Sequence, residues 1–298
     1  MRIRSVVRWG VRILAGTLAL VLTAAVGVYG YSSVRMARHF TVPAHPIALR
    51  TDSATLATGK RLATVRGCID CHGATLGGTV MFDDAVIGRL AAPNLTLGGR
   101  GAALDTLDWE RAIRHGVRRD GSALRIMPAQ EFTTIADDEI AAIVSYIRSV
   151  PPVTSTQPSP RVGPLIRVLY LAGQVKLLAA EEIDHTKAHA SHVEAEPTAN
   201  YGQYLASGCT GCHGPTLSGG KIPGGPPDWK PAANITPAGI GRYSEADFMR
   251  VLREGKRPDG SPVDSLMPWR LTKSMTDVEL KAIYAYLRTV PPKEYGNR

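Results

Sequence analysis

Aromatic side chains are scarce. Phe, Trp and Tyr make up 6% of 298 residues, although apolar residues reach 44%. A core cannot be built chiefly from ring packing, and a large bound apolar cofactor would supply the missing volume. Residues 1–50 contain no Lys, Asp or Glu but seven Arg. Beyond them stand 28 basic against 26 acidic residues, so the formal net charge of +9 belongs almost wholly to the N-terminus. No run of Lys and Arg interleaved with aromatics occurs, which excludes nucleic acid as a partner. Cysteine is confined to four residues in two C-x-x-C pairs. Each pair is followed at once by His, which points away from a disulfide framework. The length suits about two domains.

Ile13 to Tyr31 is uncharged and 19 residues long. At 1.5 Å per residue it spans about 28 Å, close to the hydrocarbon core of a bilayer. A secretory signal has a shorter apolar region and a small-residue cleavage site, and no clean A-x-A follows here. The segment therefore reads as a retained transmembrane anchor over 13–31. Arg2, Arg4, Arg8 and Arg12 precede it and outnumber Arg35 and Arg38 behind it, which holds residues 1–12 in the cytoplasm. The expected location is a bacterial inner membrane, crossed once, with the remaining chain in the periplasm.

That remaining chain repeats itself at an offset of about 140 residues. Gly67-Cys68-Ile69-Asp70-Cys71-His72-Gly73 matches Gly208-Cys209-Thr210-Gly211-Cys212-His213-Gly214. Ala92 to Thr96 matches Ala232 to Thr236, and Met127-Pro128 matches Met267-Pro268. Val150-Pro151-Pro152 matches Val290-Pro291-Pro292. Two copies of one fold are expected, over 51–152 and 199–298. Each reads as helical, with helices over Thr55–Arg66 and Ala199–Ser207, near Leu107 and Ser244, and over Asp137–Val150 and Asp277–Val290. Thr276 and Glu279 make a capping-box pattern that Ala136 breaks in the first copy. Residues 153–198 form a linker in which Leu165 to Ala180 is expected to pack across the interdomain interface; a membrane-surface helix is the alternative.

C-x-x-C-H is a signature of c-type haem attachment. Two thiols at this spacing can bond the two vinyl groups of one haem, and the next residue then lies under the iron. A zinc site would need a fourth ligand for each triad. Cys68, Cys71 and His72, and Cys209, Cys212 and His213, are therefore the expected anchors of two covalently bound haem c groups. Met127 and Met267 recur 55 and 54 residues after the two histidines. They are the candidate sixth ligands of the two irons, opposite His72 and His213. His/Met ligation raises the reduction potential and leaves no open iron position. Met36, Met81, Met249 and Met275 read as core packing.

These motifs resemble class I cytochrome c domains, repeated in tandem over roughly residues 55–298. The arrangement is similar to the cytochrome c subunits of bacterial membrane-bound alcohol and gluconate dehydrogenases, which usually carry three haem units where this chain has two. The resemblance implies an all-α fold of two tandem class I cytochrome c domains with an N-terminal transmembrane helix. It also implies that Gly59 and Gly202 let the first and last helices of each copy cross against Tyr146 and Tyr286. Asn94 and Asn234 are candidate haem contacts, through propionates or the Met loop, or else holders of a turn. Pro93, Leu95 and Ile235 are expected on the haem faces. Trp269, whose counterpart is Ala129, is expected to wall the second haem. His185, His189 and His192 read as solvated linker, with a metal-binding i, i+4 pair as the alternative, and His115 reads as surface.

The implied function is electron transfer at the periplasmic face rather than catalysis. Partners would be a dehydrogenase, a quinol-oxidising complex, an oxidase or another cytochrome. A dihaem peroxidase or thiosulfate-oxidising enzyme is the alternative, but it needs a displaceable sixth ligand. Residues 201–298 carry +4 and residues 51–150 carry −1. That asymmetry suits different partners at the two copies.

Overall fold

A computed structural model describes residues 2–223, 225–226 and 228–297, with side chains from Val6 onward. The Arg2 and Arg4 side chains invoked for orientation lie outside the described residues. Helix α1 (Arg2–Met36) is continuous and longer than the apolar segment alone. At 35 residues it is about 52 Å long. Nothing else in the described chain covers its apolar window. Unit 1 follows with α2 (Ser53–Val65), α3 (Cys68–His72), strands β1 (Thr79–Asp84) and β2 (Gly88–Ala92), α4 (Thr106–His115) and α5 (Asp137–Ser149). The connection holds β3 (Arg161–Val162) and α6 (Pro164–Leu171). Unit 2 comprises α7 (Ala199–Ala206), α8 (Thr210–His213), α9 (Pro237–Ile240), α10 (Glu245–Glu254), α11 (Trp269–Thr272) and α12 (Asp277–Thr289).

The architecture is largely helical but not all-α. Strands β1, β2 and β3 form an antiparallel sheet in that order, with Thr79 opposite Ala92 and Gly88 opposite Val162. The cause is local. Asp84 Oδ1 accepts the backbone N–H groups of Val86 and Ile87 at 2.8 and 2.7 Å, closing the β1–β2 turn. The equivalent stretch of unit 2 is one residue shorter and pairs, among the described residues, through a bridge between Gly220 and Ala232. Met81 lies on this hairpin and is exposed, so the core-packing expectation fails for it.

In each unit the first and last helices cross in contact. A Cβ on Gly59 would overlap the Ala142 carbonyl and press on Tyr146. One on Gly202 would overlap the Ala282 carbonyl and press on Tyr286. Around these crossings lie the two cores, with Leu62, Trp109, Ile140, Val144 and Ile147 in unit 1 and Leu205, Phe248, Leu280, Ile283 and Leu287 in unit 2. Thr276 and Glu279 form the expected capping box of α12. Helix α5 has no side-chain cap at Ala136. Its first N–H groups turn elsewhere: Ala136 N donates to the Tyr204 hydroxyl at 3.0 Å, Asp137 N to Ala190 O, and Asp138 N to Ser191 O.

The connection lies elsewhere than the sequence suggests. Helix α6 ends at Leu171 and packs on the end of α1, not between the units. Arg167 Nη1 donates to the Ser32 hydroxyl at 2.7 Å, and Arg35 forms a bidentate pair with Glu181. Met36, Tyr170, Leu177 and Leu178 close a third cluster there. The seam between units is made instead by α2 and α5 against α7, α11 and α12. Arg61 donates to Glu279 at 2.7 Å, and the Tyr204 hydroxyl donates to Glu139 at 2.8 Å. Glu139 and Glu279 hold equivalent places in the repeat, as do Arg61 and Tyr204, so the seam is quasi-symmetric.

His115 is not at the surface. It is 3% exposed, and its Nδ1 lies 3.0 Å from His185 Nδ1. Burial, reinforced by the positive neighbours His185 and Arg114, pushes its pKa down from 6.5 to about 4. Glu110, His45 and His189 complete its charged surroundings. The unfolded chain takes up this proton near pH 6.5, whereas the native chain resists it until about pH 4. Stability is therefore full above pH 6.5 and is lost as pH falls toward 4. Urea midpoints measured across that window should fall less steeply in His115→Asn than in the parent; equal slopes would contradict this.

Candidate functional site

The two Cys-x-x-Cys-His segments fold alike. Each forms a short helix, α3 or α8, closed by a glycine in the left-handed region, Gly73 at φ +82° and Gly214 at φ +80°. Three residues on, Leu76 and Leu217 also adopt positive φ, at 57° and 61°, and both are buried. Non-glycine residues rarely do so. The recurrence marks one rigid turn used twice, and its leucines seal the core beneath.

Each histidine ring is held by the same device. His72 Nδ1 lies 2.9 Å from Pro93 O, and His213 Nδ1 lies 2.7 Å from Ala233 O. A ring that donates from Nδ1 to a carbonyl presents Nε2 as its free electron pair, the tautomer a metal ligand needs. Burial lowers the His72 pKa and favours that neutral form. Cys68 and Cys209 are desolvated, which pushes both thiols up to about 11. No disulfide joins Cys68 to Cys71. Such thiols suit an apolar wall and a thioether rather than a reactive thiolate.

Met127 is half-buried against the same cluster as Cys68, Ile69 and Leu95. Met267 is half-buried against the cluster that holds Cys209 and Ile235. In each unit one thiol of the pair and the thioether thus share an apolar cluster, and the ring-oriented histidine ends the same short helix as the thiols. That chemistry fits an iron porphyrin. The two methionine loops differ, however. Ile126, just before Met127, sits at φ +70°, and its N–H donates to Leu177 O at 2.9 Å. A β-branched residue there is strained and is held by the linker behind it. Leu266, its counterpart, shows no positive φ. Trp269 stacks over Gly255 at the end of α10, where Ala129 lies over Gly116 in unit 1.

Asn94 and Asn234 make the hydrogen bonds of a turn clamp. Asn94 Oδ1 accepts from Thr96 N and Oγ1 at 2.9 and 2.7 Å, while its Nδ2 donates to Val153 O at 2.6 Å. Asn234 repeats this with Thr236 and Lys293 O. Each clamp pins the residue after the carbonyl that holds the histidine, so it acts on the ring at one remove.

Two further residues carry the site but have no motif of their own. Arg114 is 0% exposed. It donates to Thr133 O and Ile135 O at 2.9 and 2.7 Å, to Glu110 at 2.8 Å and to Asp137 at 2.7 Å. Arg253 binds Lys273 O, Met275 O and Asp277 in the equivalent places. Both clamp the chain between the methionine and the last helix. Only their common register in the repeat could have revealed them.

Along the seam, Gly67 of the first thiol segment faces Leu271, just past Met267. Gly211 of the second faces Glu131, just past Met127. Arg66 acts electrostatically on both Cys68 and Cys209. Each thiol segment therefore abuts the loop behind the other unit's methionine.

A family model described as Cytochrome c matches residues 56–151 and 199–291. The chain is 29% identical over 272 residues to an alcohol dehydrogenase (quinone), cytochrome c subunit, from Gluconacetobacter polyoxogenes, covering 81% of this chain and 57% of that one. It is 27% identical over 274 residues to the subunit of the same description from Gluconobacter oxydans, covering 82% and 56%. A gluconate 2-dehydrogenase cytochrome c subunit from Pantoea cypripedii is 23% identical over 279 residues, covering 82% and 62%. The chain thus spans rather more than half the length of these relatives.

Proposed function

Because this chain belongs to the cytochrome c family, we propose that it is a two-haem electron-transfer subunit serving a membrane-bound dehydrogenase. It would carry two covalently held haem c groups, which supply one-electron redox chemistry when bound. Cys68 and Cys71 hold the first group and Cys209 and Cys212 the second. His72 and His213 would supply imidazole to the two irons, and Met127 and Met267 would supply thioether. Pro93 O and Ala233 O orient the rings, with Asn94 and Asn234 fixing those carbonyls. Leu76, Leu217 and the clamped methionine loops would exclude water from such a group, and a His/Met pair would fill its ligand positions.

The observation that carries this reading is the seam. Both thiol segments border it, each against the loop behind the other unit's methionine. That contact would give an electron a route from one unit to the other through protein rather than bulk solvent. Helix α1 anchors the chain in a bacterial inner membrane, and the docked end of α1 keeps unit 1 close to the periplasmic surface. The quinone-linked dehydrogenase subunits of the relatives suggest a dehydrogenase as donor. A quinol-oxidising complex would likewise donate, and an oxidase or another cytochrome would accept.

The ferric absorption spectrum of the purified full-length protein tests this against a peroxidase or thiosulfate-oxidising enzyme. The expected result is a thioether-to-iron charge-transfer band from two low-spin haems, halved in Met127→Leu and in Met267→Leu. High-spin haem in the parent, with peroxide turnover, would contradict it.

A further inference from the structure

Besides the two haem ligands, the chain has six histidines, and four of them converge on one corner of unit 1. His45 comes from the lead-in to α2, His115 from α4, and His185 and His189 from the linker. His45 Nε2 lies 3.3 Å from Asp137 Oδ1, and His189 Nδ1 lies 3.0 Å from the same oxygen. Donor atoms of all three residues fall within 4.8 Å of one another. Ligands of a tetrahedral zinc ion stand about 3.3 Å apart, given metal–ligand distances near 2 Å. The two rings stack at 5.0 Å with 9° between planes. Imidazole nitrogens are common ligands of zinc-class ions.

A hydrogen-bonded cluster needs no ion, and Arg114 already binds Asp137. That explanation leaves donors unspent. Glu110 is fully buried, and its Oε2 has no hydrogen-bond partner. Its Oε1 lies 3.8 Å from His45 Nδ1. His189 Nδ1 is buried without a hydrogen bond, because Asp137 lies at the right distance but in the wrong direction. Two carboxylates against one guanidinium also leave a net negative charge. The repeat offers a comparison. Unit 2 keeps the Arg253–Asp277 pair but has Met249 for Glu110 and Glu254 for His115. The fold itself therefore does not require the extra donors.

We propose that His45, Asp137 and His189 bind one divalent transition-metal ion of the zinc class, apart from both haem sites, with Glu110 balancing its charge. The ion clips the lead-in and the linker to the start of α5, where Asp137 N already bonds Ala190 O. His45, the most exposed of the three, gives access from solvent.

The test uses the full-length haem protein in detergent, stripped with a chelator, dialysed against zinc and assayed by elemental analysis. The expected result is one zinc for every two irons. His45→Gln and His189→Gln should each weaken binding at least about tenfold, with their haem spectra unchanged as evidence of folding. His192→Ala should bind as the parent does. Zinc should raise the melting temperature of the parent but not of the double His45→Gln/His189→Gln variant. Failure to retain zinc would overturn the proposal, as would equal retention by both variants or loss only with His192→Ala.

Discussion

Gly202→Val is expected to unfold unit 2 while unit 1 keeps its native haem environment. The α7–α12 crossing leaves no room for a side chain, since even one carbon would overlap the Ala282 carbonyl and meet Tyr286. Backbone cannot yield as the tip of a flexible side chain can. Forcing α7 away from α12 would open the core between Leu205, Leu280 and Ile283. Overpacking typically costs about 1–3 kcal/mol, and a backbone overlap at a helix crossing sits at or above the top of that range. Against a total stability of about 5–15 kcal/mol, with two units sharing it, unit 2 is expected to lose its fold. Guanidinium unfolding followed by haem absorbance should show half the signal lost at low denaturant. A single transition at the parental midpoint would contradict the packing argument.

Arg114→Met should cost about 3–5 kcal/mol, the loss expected when one partner of a buried ion pair is removed. Glu110 would be left buried opposite no cation, and the carbonyls of Thr133 and Ile135 would lose their donor. Arg253→Met should cost much less. Arg253 is partly exposed at 34%, and no carboxylate stands where Glu110 does, because Met249 occupies that place. The two variants thus separate a buried network from a solvated one within a single chain. Burial already pushes the Glu110 carboxyl above its ordinary range. Without Arg114 it would resist ionisation further. The unfolded chain would release this proton at lower pH than the native one, so the variant loses stability as pH rises above the usual glutamate range and recovers on acidification. Denaturation midpoints at acid and neutral pH check the sign. A deficit that grows on acidification would contradict it.

The repeat made much of the fold legible. The Gly-Cys-x-x-Cys-His-Gly segments, the Met-Pro pairs and the Pro-Pro helix ends fall in register, and the helices appear close to where periodicity put them. Gly59 and Gly202 stand at helix crossings because no other residue fits there. The sheet was hidden because the Thr79–Ala92 hairpin is set by the Asp84 turn rather than by long alternation, and the equivalent Gly- and Pro-rich stretch of the second copy gives it no echo in the repeat. Helix α6 was misplaced because its apolar face is equally suited to α1. Asn94 and Asn234 were ambiguous because an amide reads alike whether it meets a propionate or a carbonyl. His115 was taken for surface because its cover, His185, comes from seventy residues away in a linker with no period. Arg114 and Arg253 looked like ordinary surface arginines, since nothing local announces that α4 and α10 point them at the loops behind the methionines.

The number of haems bound covalently to the purified chain, and the cysteines that hold them, test the central reading most directly. Intact-mass analysis after denaturation should show two haem adducts on the parent protein. It should show one on the Cys68→Ala/Cys71→Ala variant and one on the Cys209→Ala/Cys212→Ala variant. An unmodified polypeptide, a single adduct on the parent, or two adducts surviving in either variant would contradict it.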